Sequence, residues 1–153
     1  MELQEVKKAS IELMENSKAA YLTTVDSDGF PITRAMFNLK NKSQFPEFSD
    51  FFSKAENNYM IYISTNTSSS KVSHIKKNPK ICVYYCDTDN FKGVMFGGLA
   101  EIIEDMKIKQ KLWLDWWTRY YKNGVTDPDY TLLRLKPKQG RFYYKLNQVV
   151  FEP

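Results

Sequence analysis

Residues 18–40 read KAAYLTTVDSDGFPITRAMFNLK, and the way this stretch doubles back decides the class of fold. KAAYLTTV is β-branched and aromatic enough to form a strand. Asp26-Ser27-Asp28-Gly29 is a strong turn signal. FPITRAMFNLK then supplies the returning half of a hairpin, so neighbouring strands run antiparallel. Its period of two puts Ile32, Arg34, Met36 and Asn38 on one face and Thr33, Ala35, Phe37 and Leu39 on the other.

Working outward, MELQEVKKASIELMEN places Leu3, Val6, Leu13 and Met14 at helical spacing. NKSQFPEFSDFFSKAENN fits no clean period and reads as an excursion with a short helix at EFSDFFSKA. YMIYIST is a strand. SSKVSHIKKN carries Val72 and Ile75 at helical spacing between serine caps and the stop Asn78-Pro79. KICVYYC and GVMFGGLAEII are strands joined by DTDNFK, the glycines of the second pointing to a bulge or a close backbone approach. DMKIKQKLWLDWWTRYY predicts one helix opened by Asp105, with Ile108, Leu112 and Trp116 along one stripe. YTLLRLKP and GRFYYKLNQVVFE close the chain as two strands. About seven strands with two or three helices and no repeat or linker predict a single mainly β domain over residues 1–153, an antiparallel barrel or sandwich.

The totals bound the function. A chain of 153 residues with 42% hydrophobic and 26% charged residues can bury about 70% of its unfolded surface in one core. No run approaches the roughly 20 apolar residues of a membrane span. The N-terminus lacks the apolar core of a signal peptide, which makes the cytoplasm the default compartment. The net charge of +4 is spread among interleaved acids, which argues against a nucleic-acid footprint and leaves room for a small anion. Cys82 and Cys86 lie four residues apart on a strand, about 13 Å, too far to pair with each other. They read as buried free thiols. One histidine, His74, leaves too few soft ligands for a structural zinc site.

Three features carry possible chemistry. STNTSSSK, residues 64–71, runs from a strand into a helix start, where unpaired N–H groups, hydroxyls and Lys71 could cradle an anion. It lacks Gly-x-x-x-x-Gly-Lys, so it is no nucleoside triphosphatase loop. The same serines also serve as a plain cap with a solvated lysine. Arg34 interrupts an apolar strand and needs solvent, a carboxylate or a ligand. LWLDWWTRYY leaves Trp113, Trp117 and Tyr120 for a surface beyond the core, an interface or a planar ligand, or packs entirely inside.

These features, in this order, resemble a known family. DGFPITRAMFNLK, ISTNTSSSKVSHIKKNPKICVYY and VMFGGLAEI are similar to the FMN-binding split-barrel family typified by pyridoxamine 5'-phosphate oxidase, and most of all to its general stress protein 26-like branch. WLDWWTRYYKNGVTDPDYTLLRLKP matches that branch's helix, Gly-x-x-Asp-Pro turn and return strand, extending the resemblance over roughly residues 5–145. The resemblance implies a Greek-key split β-barrel with flanking helices and a non-covalent FMN at a homodimer interface. It implies that Arg34, Ala35, Met36 and Phe37 lie against the flavin, that Ser64 and Thr65 end the neighbouring strand, and that Ser69, Ser70 and Lys71 take the phosphate. Trp113 and Trp117 would line the substrate side, facing an unidentified small redox partner. A protein of this kind is either an oxidoreductase or a non-catalytic flavin or redox sensor. A barrel holding a deazaflavin, or heme with His74 as axial ligand, is the alternative. Ser70 stands where the oxidases have arginine, Gly93 where they have glutamine, and their C-terminal Trp-x-x-x-Arg-Leu has no counterpart. Pyridoxamine phosphate oxidation itself is therefore not expected.

Overall fold

The computed structural model describes all 153 residues. The predicted hairpin is present: β1 (Ala19–Val25) pairs antiparallel with β2 (Pro31–Phe37), Leu22 opposite Arg34. Asp26 shapes its turn, one carboxylate oxygen accepting from the amides of Asp28 and Phe30. Gly29 sits at φ 85, where a side chain would be strained.

β3 (Ile61–Asn66), β4 (Lys80–Asp87), β5 (Lys92–Ile103), β6 (Tyr130–Leu135), β7 (Gln139–Tyr144) and β8 (Asn147–Phe151) complete one antiparallel sheet of eight strands. Its order is β2-β1-β4-β5-β6-β3, with β7 and β8 branching from β5. β5 is the hinge of the split barrel. Its first half, Gly93–Gly97, pairs with β7, while Ala100–Ile103 pairs with β6. The predicted close approach is found at the crossover: a Cβ on Gly98 would stand 2.9 Å from Leu135 and 3.2 Å from the Lys136 carbonyl oxygen.

α1 (Leu3–Asn16) buries Val6, Leu13 and Met14 against the barrel interior, as its spacing predicts. A second core forms on the far side of β3 and β6. Alternation along β3 sends Ile61 and Ile63 to the first core and Met60 and Tyr62 to the second. β6 divides Leu133 and Leu135 from Tyr130 and Leu132 in the same way. Both faces are therefore buried, which is why these strands read as near-continuous apolar runs.

The structure corrects four expectations. The single helix over 105–121 is two pieces: α4 (Met106–Lys111), with Asp105 capping it as predicted, and a 3-10 turn at Asp115–Arg119 after an extended Leu114. Leu112 and Trp117 both enter the second core. Five residues apart, they would diverge by roughly 140° on one helix, so the break is what lets both point inward. Trp116, assigned to the core, is 45% exposed, and Trp117 only 1%. The closing strand is a hairpin, because Lys145 and Leu146 both turn at positive φ without the glycine or asparagine that announces such turns. Cys82 and Cys86 are unpaired as expected, but half-buried on the outer face of β4 rather than enclosed.

Short helical pieces complete the architecture, among them a 3-10 turn at Gly124–Thr126. Pro46–Phe48 is a 3-10 turn leading into α2 (Ser49–Ser53), and α3 (Ser70–Lys77) follows the serine-rich turn. No helix is long and apolar enough to cross a membrane.

Candidate functional site

A groove of about 520 Å³ opens where β2, the end of β3, the start of α3 and the 3-10 turn at 115–119 meet, within the size range of cofactor sites. Ala35, Met36 and Phe37 form one wall, Ser64 and Thr65 the floor strand, Lys71 one end and Trp117 the aromatic side. Phe37 stacks on Trp117 at 6.4 Å with rings 19° apart, and Trp116 and Tyr120 meet it edgewise or tilted. The lining contains two lysines, Lys18 and Lys71, and no carboxylate. By contrast, a cleft of about 450 Å³ between α1 and β4 is lined by Glu12, Asp87 and Asp89 among others.

Seven of the expected residues thus converge. Arg34, Ser69 and Ser70 lie outside the lining but close to its Lys71 end. Arg34 uses one terminal nitrogen, Nη1, to donate to Thr24 Oγ1 and the Ile32 carbonyl oxygen, both at 2.8 Å, and weakly to the Leu22 carbonyl oxygen at 3.5 Å. Its Nη2 and Nε are left without protein partners. Burial holds its guanidinium below the ordinary value. Burial, and secondarily the charge of Arg34, likewise hold the Lys71 amine below its usual range. Neither cation belongs to a salt bridge. Two neighbouring cations without an acid are electrostatically incomplete.

Ser69 is the residue preceding α3, in extended conformation, yet its hydroxyl makes no capping bond and is buried without any partner. Such an orphan is costly unless a ligand satisfies it. Ser70 is exposed at the first position of α3. The turn that presents them is tied down from the far side. Asp129 accepts from Asn66 Nδ2 at 2.7 Å and from the Ser68 amide at 2.8 Å, and its backbone oxygen accepts from the Thr67 amide. Asp127 in turn accepts from the amides of Asn123 and Asp129. The Asp-Pro-Asp segment is thus the buttress of the serine-rich turn.

Trp113 does not line the groove; half-buried, it packs on Trp117, Tyr121 and Tyr130 against the second core. The helix break that reorients Trp117 also carries Trp113 inward. His74 does not line it either, its Nδ1 lying 2.9 Å from Thr24 Oγ1. Lys18, Ala19, Gln44, Asn66 and Tyr121 are lining residues that the sequence reading missed. Lys18 and Gln44 come from segments with no motif of their own. Tyr121 had a usable signal, as the last aromatic of LWLDWWTRYY.

The model of the family described as pyridoxamine 5'-phosphate oxidase matches residues 6–144, nearly the whole chain. The chain belongs to the pyridoxamine 5'-phosphate oxidase family. Among solved structures, a protein related to general stress protein 26 from Clostridium acetobutylicum is 33% identical, with 99% of this chain and 96% of that one covered and a TM-score of 0.77. The general stress protein 26 of Bacillus anthracis aligns over 99% of this chain and 100% of its own at 22% identity and a TM-score of 0.68. These likenesses put the chain in the family's general stress protein 26-like branch. The fold also recurs in a heme-binding protein from Mycobacterium smegmatis, 13% identical, covering 94% of this chain and 57% of that one, TM-score 0.66. No curated protein matches the chain significantly.

Proposed function

We propose that the groove binds FMN and that the protein is a cytoplasmic, homodimeric flavoprotein oxidoreductase. The observation that carries this reading is the pairing of unneutralised Arg34 and Lys71 with an acid-free groove whose walls are Met36, Phe37 and Trp117. One end suits a phosphate, and the volume and aromatic side suit a flat ring system. The orphaned hydroxyl of Ser69 and the first amides of α3 would complete the phosphate grip. Ala35 and Met36 offer backbone and an apolar surface to the ring.

Bound there, FMN would supply hydride or electron transfer at its N5. The protein's own part is to orient the ring, exclude water with the aromatic side and hold the dianion. No histidine or carboxylate faces the groove. Tyr121 is pushed up to about 12, by burial first and then by Asp129 and Asp127, so it keeps its proton at neutral pH. Chemistry that needs no protein acid or base fits this lining.

The dimer is supported by the outward face of the sheet. Phe37, Tyr84, Tyr143 and Val150, on four different strands, are exposed there, more apolar surface than a lone subunit's sheet needs. Gly93 belongs to the same face. A Cβ there would collide with the Tyr84 ring, so the tyrosine occupies the space a larger residue would take.

The test is direct. Protein mixed with FMN and desalted should retain it in stoichiometric amount and release it on denaturation. Lys71→Ala should weaken binding by about 1–3 kcal/mol, the scale of a lost charged hydrogen bond. Colourless wild-type protein that takes up no FMN would end the proposal, and an unchanged affinity in the variant would mean that the phosphate lies elsewhere.

A further inference from the structure

We infer that His74 is a positioning residue for the anion end of the groove, acting through Thr24 to hold Arg34 in place. This rests on the reading of the groove as a site for a phosphate-bearing ligand. Thr24 is fully buried on β1 and has two side-chain partners, Arg34 Nη1 at 2.8 Å and His74 Nδ1 at 2.9 Å. The directions of these bonds follow from chemistry. A guanidinium only donates, so Thr24 Oγ1 accepts from Arg34. The hydroxyl proton then has one acceptor within reach, the Nδ1 lone pair of His74. Were Nδ1 protonated, it would also donate to Oγ1 and leave the buried hydroxyl proton with no acceptor, a costly arrangement. For the neutral imidazole, the chain of bonds therefore selects the tautomer with its proton on Nε2.

The consequence reaches the site. Nη1 is fastened to Thr24 and to the backbone, which leaves Nη2 and Nε without protein partners. His74 lies one helical turn from Lys71 on α3, and α3 packs against β1. The same histidine thus couples the helix bearing the lysine to the strand pair bearing the arginine. His74 touches no ligand in this arrangement; its contribution is to fix where Arg34 points.

The protein has a single histidine, so its imidazole nitrogens can be read by NMR without assignment. Well above the ordinary imidazole range, wild-type protein should show a pyridine-like Nδ1 and a pyrrole-like Nε2. The opposite tautomer, or an even mixture, would overturn the inference. In parallel, FMN and riboflavin affinities are measured for wild type, Thr24→Val, His74→Leu and His74→Gln. Thr24→Val and His74→Leu should each weaken FMN by roughly tenfold, the size of one hydrogen bond, while riboflavin, lacking the phosphate, is unaffected. Glutamine can still accept from Thr24 and should restore FMN binding. Equal FMN affinity in all four proteins, or equal losses for riboflavin, would sink the inference and leave the cofactor reading standing. Wild-type protein that binds no FMN would remove both. If Thr24→Val fails to fold, the half-exposed His74 variants and the tautomer decide alone.

Discussion

Burial draws the amine of Lys40 down to about 8, the nearby Glu15 only partly opposing it and Lys42 adding to it. Its Nζ donates to the Asn58 carbonyl oxygen and lies over the Phe52 ring, 5.7 Å from the centroid. The unfolded chain therefore binds a proton at this amine more tightly than the folded one. Where the two forms differ in occupancy, between about 8 and the ordinary 10.5, stability should rise with pH. Below that window both forms are protonated and the penalty is fully present. Lys40→Met removes it, so denaturant midpoints of wild type and variant should diverge most at neutral pH and converge towards pH 10. A constant gap across that range would refute the assignment. The sequence marks nothing unusual at Lys40, because a lysine's desolvation depends on what folds over it. Lys71 and Arg34 were legible for the opposite reason: a charge within an apolar strand, and a lysine at a helix start, announce their need for a partner locally.

At the scale of elements, the serine-rich turn depends on the turn that leads into β6, distant in sequence. Asp129 holds the Ser68 amide and the Asn66 side chain, and these bonds, the Asn66 one foremost, keep its carboxylate below the ordinary range. Asp129→Ala should speed hydrogen exchange at the Ser68 amide while Thr67, held by a backbone oxygen, stays protected. FMN affinity should fall with it. Acid should produce the same loosening in wild type as pH drops through the lowered pKa of Asp129, since protonation removes the acceptor charge. Unchanged Ser68 exchange in the variant would mean that the turn holds itself. The hairpin at 19–37, α1 and the cap at Asp105 were all readable from local signals. The break after Lys111 was not, since nothing in KLWLDWW departs from helical composition. The hairpin turn at Lys145-Leu146 was missed because its residues do not advertise positive φ.

Across the whole molecule, the exposed aromatic and aliphatic residues on the outer sheet share one surface, with β2 at its edge and the groove beside it. Ala35 and Phe37 belong both to that face and to the groove wall. Tyr84→Lys, placing a charge near the centre of the face, should shift sedimentation from twice the chain's mass to a single chain. It should also weaken FMN, although Tyr84 does not line the groove. A monomeric wild type, or a dimeric variant with normal FMN affinity, would separate the sheet face from the groove.

The sequence by itself determined the antiparallel class, the positions of most strands and, through the ordered resemblance of segments that meet at the groove, the family. Those are properties of local patterning: alternation, turn chemistry, helix caps and an out-of-place charge. The tertiary structure alone decided which aromatics face the groove. It also decided that Asp129 buttresses the serine-rich turn and that Thr24 stands between Arg34 and His74. The contacts from Asp129 to Ser68 and from Thr24 to His74 each cross fifty or more residues, and neither spacing nor composition encodes a distance of that kind.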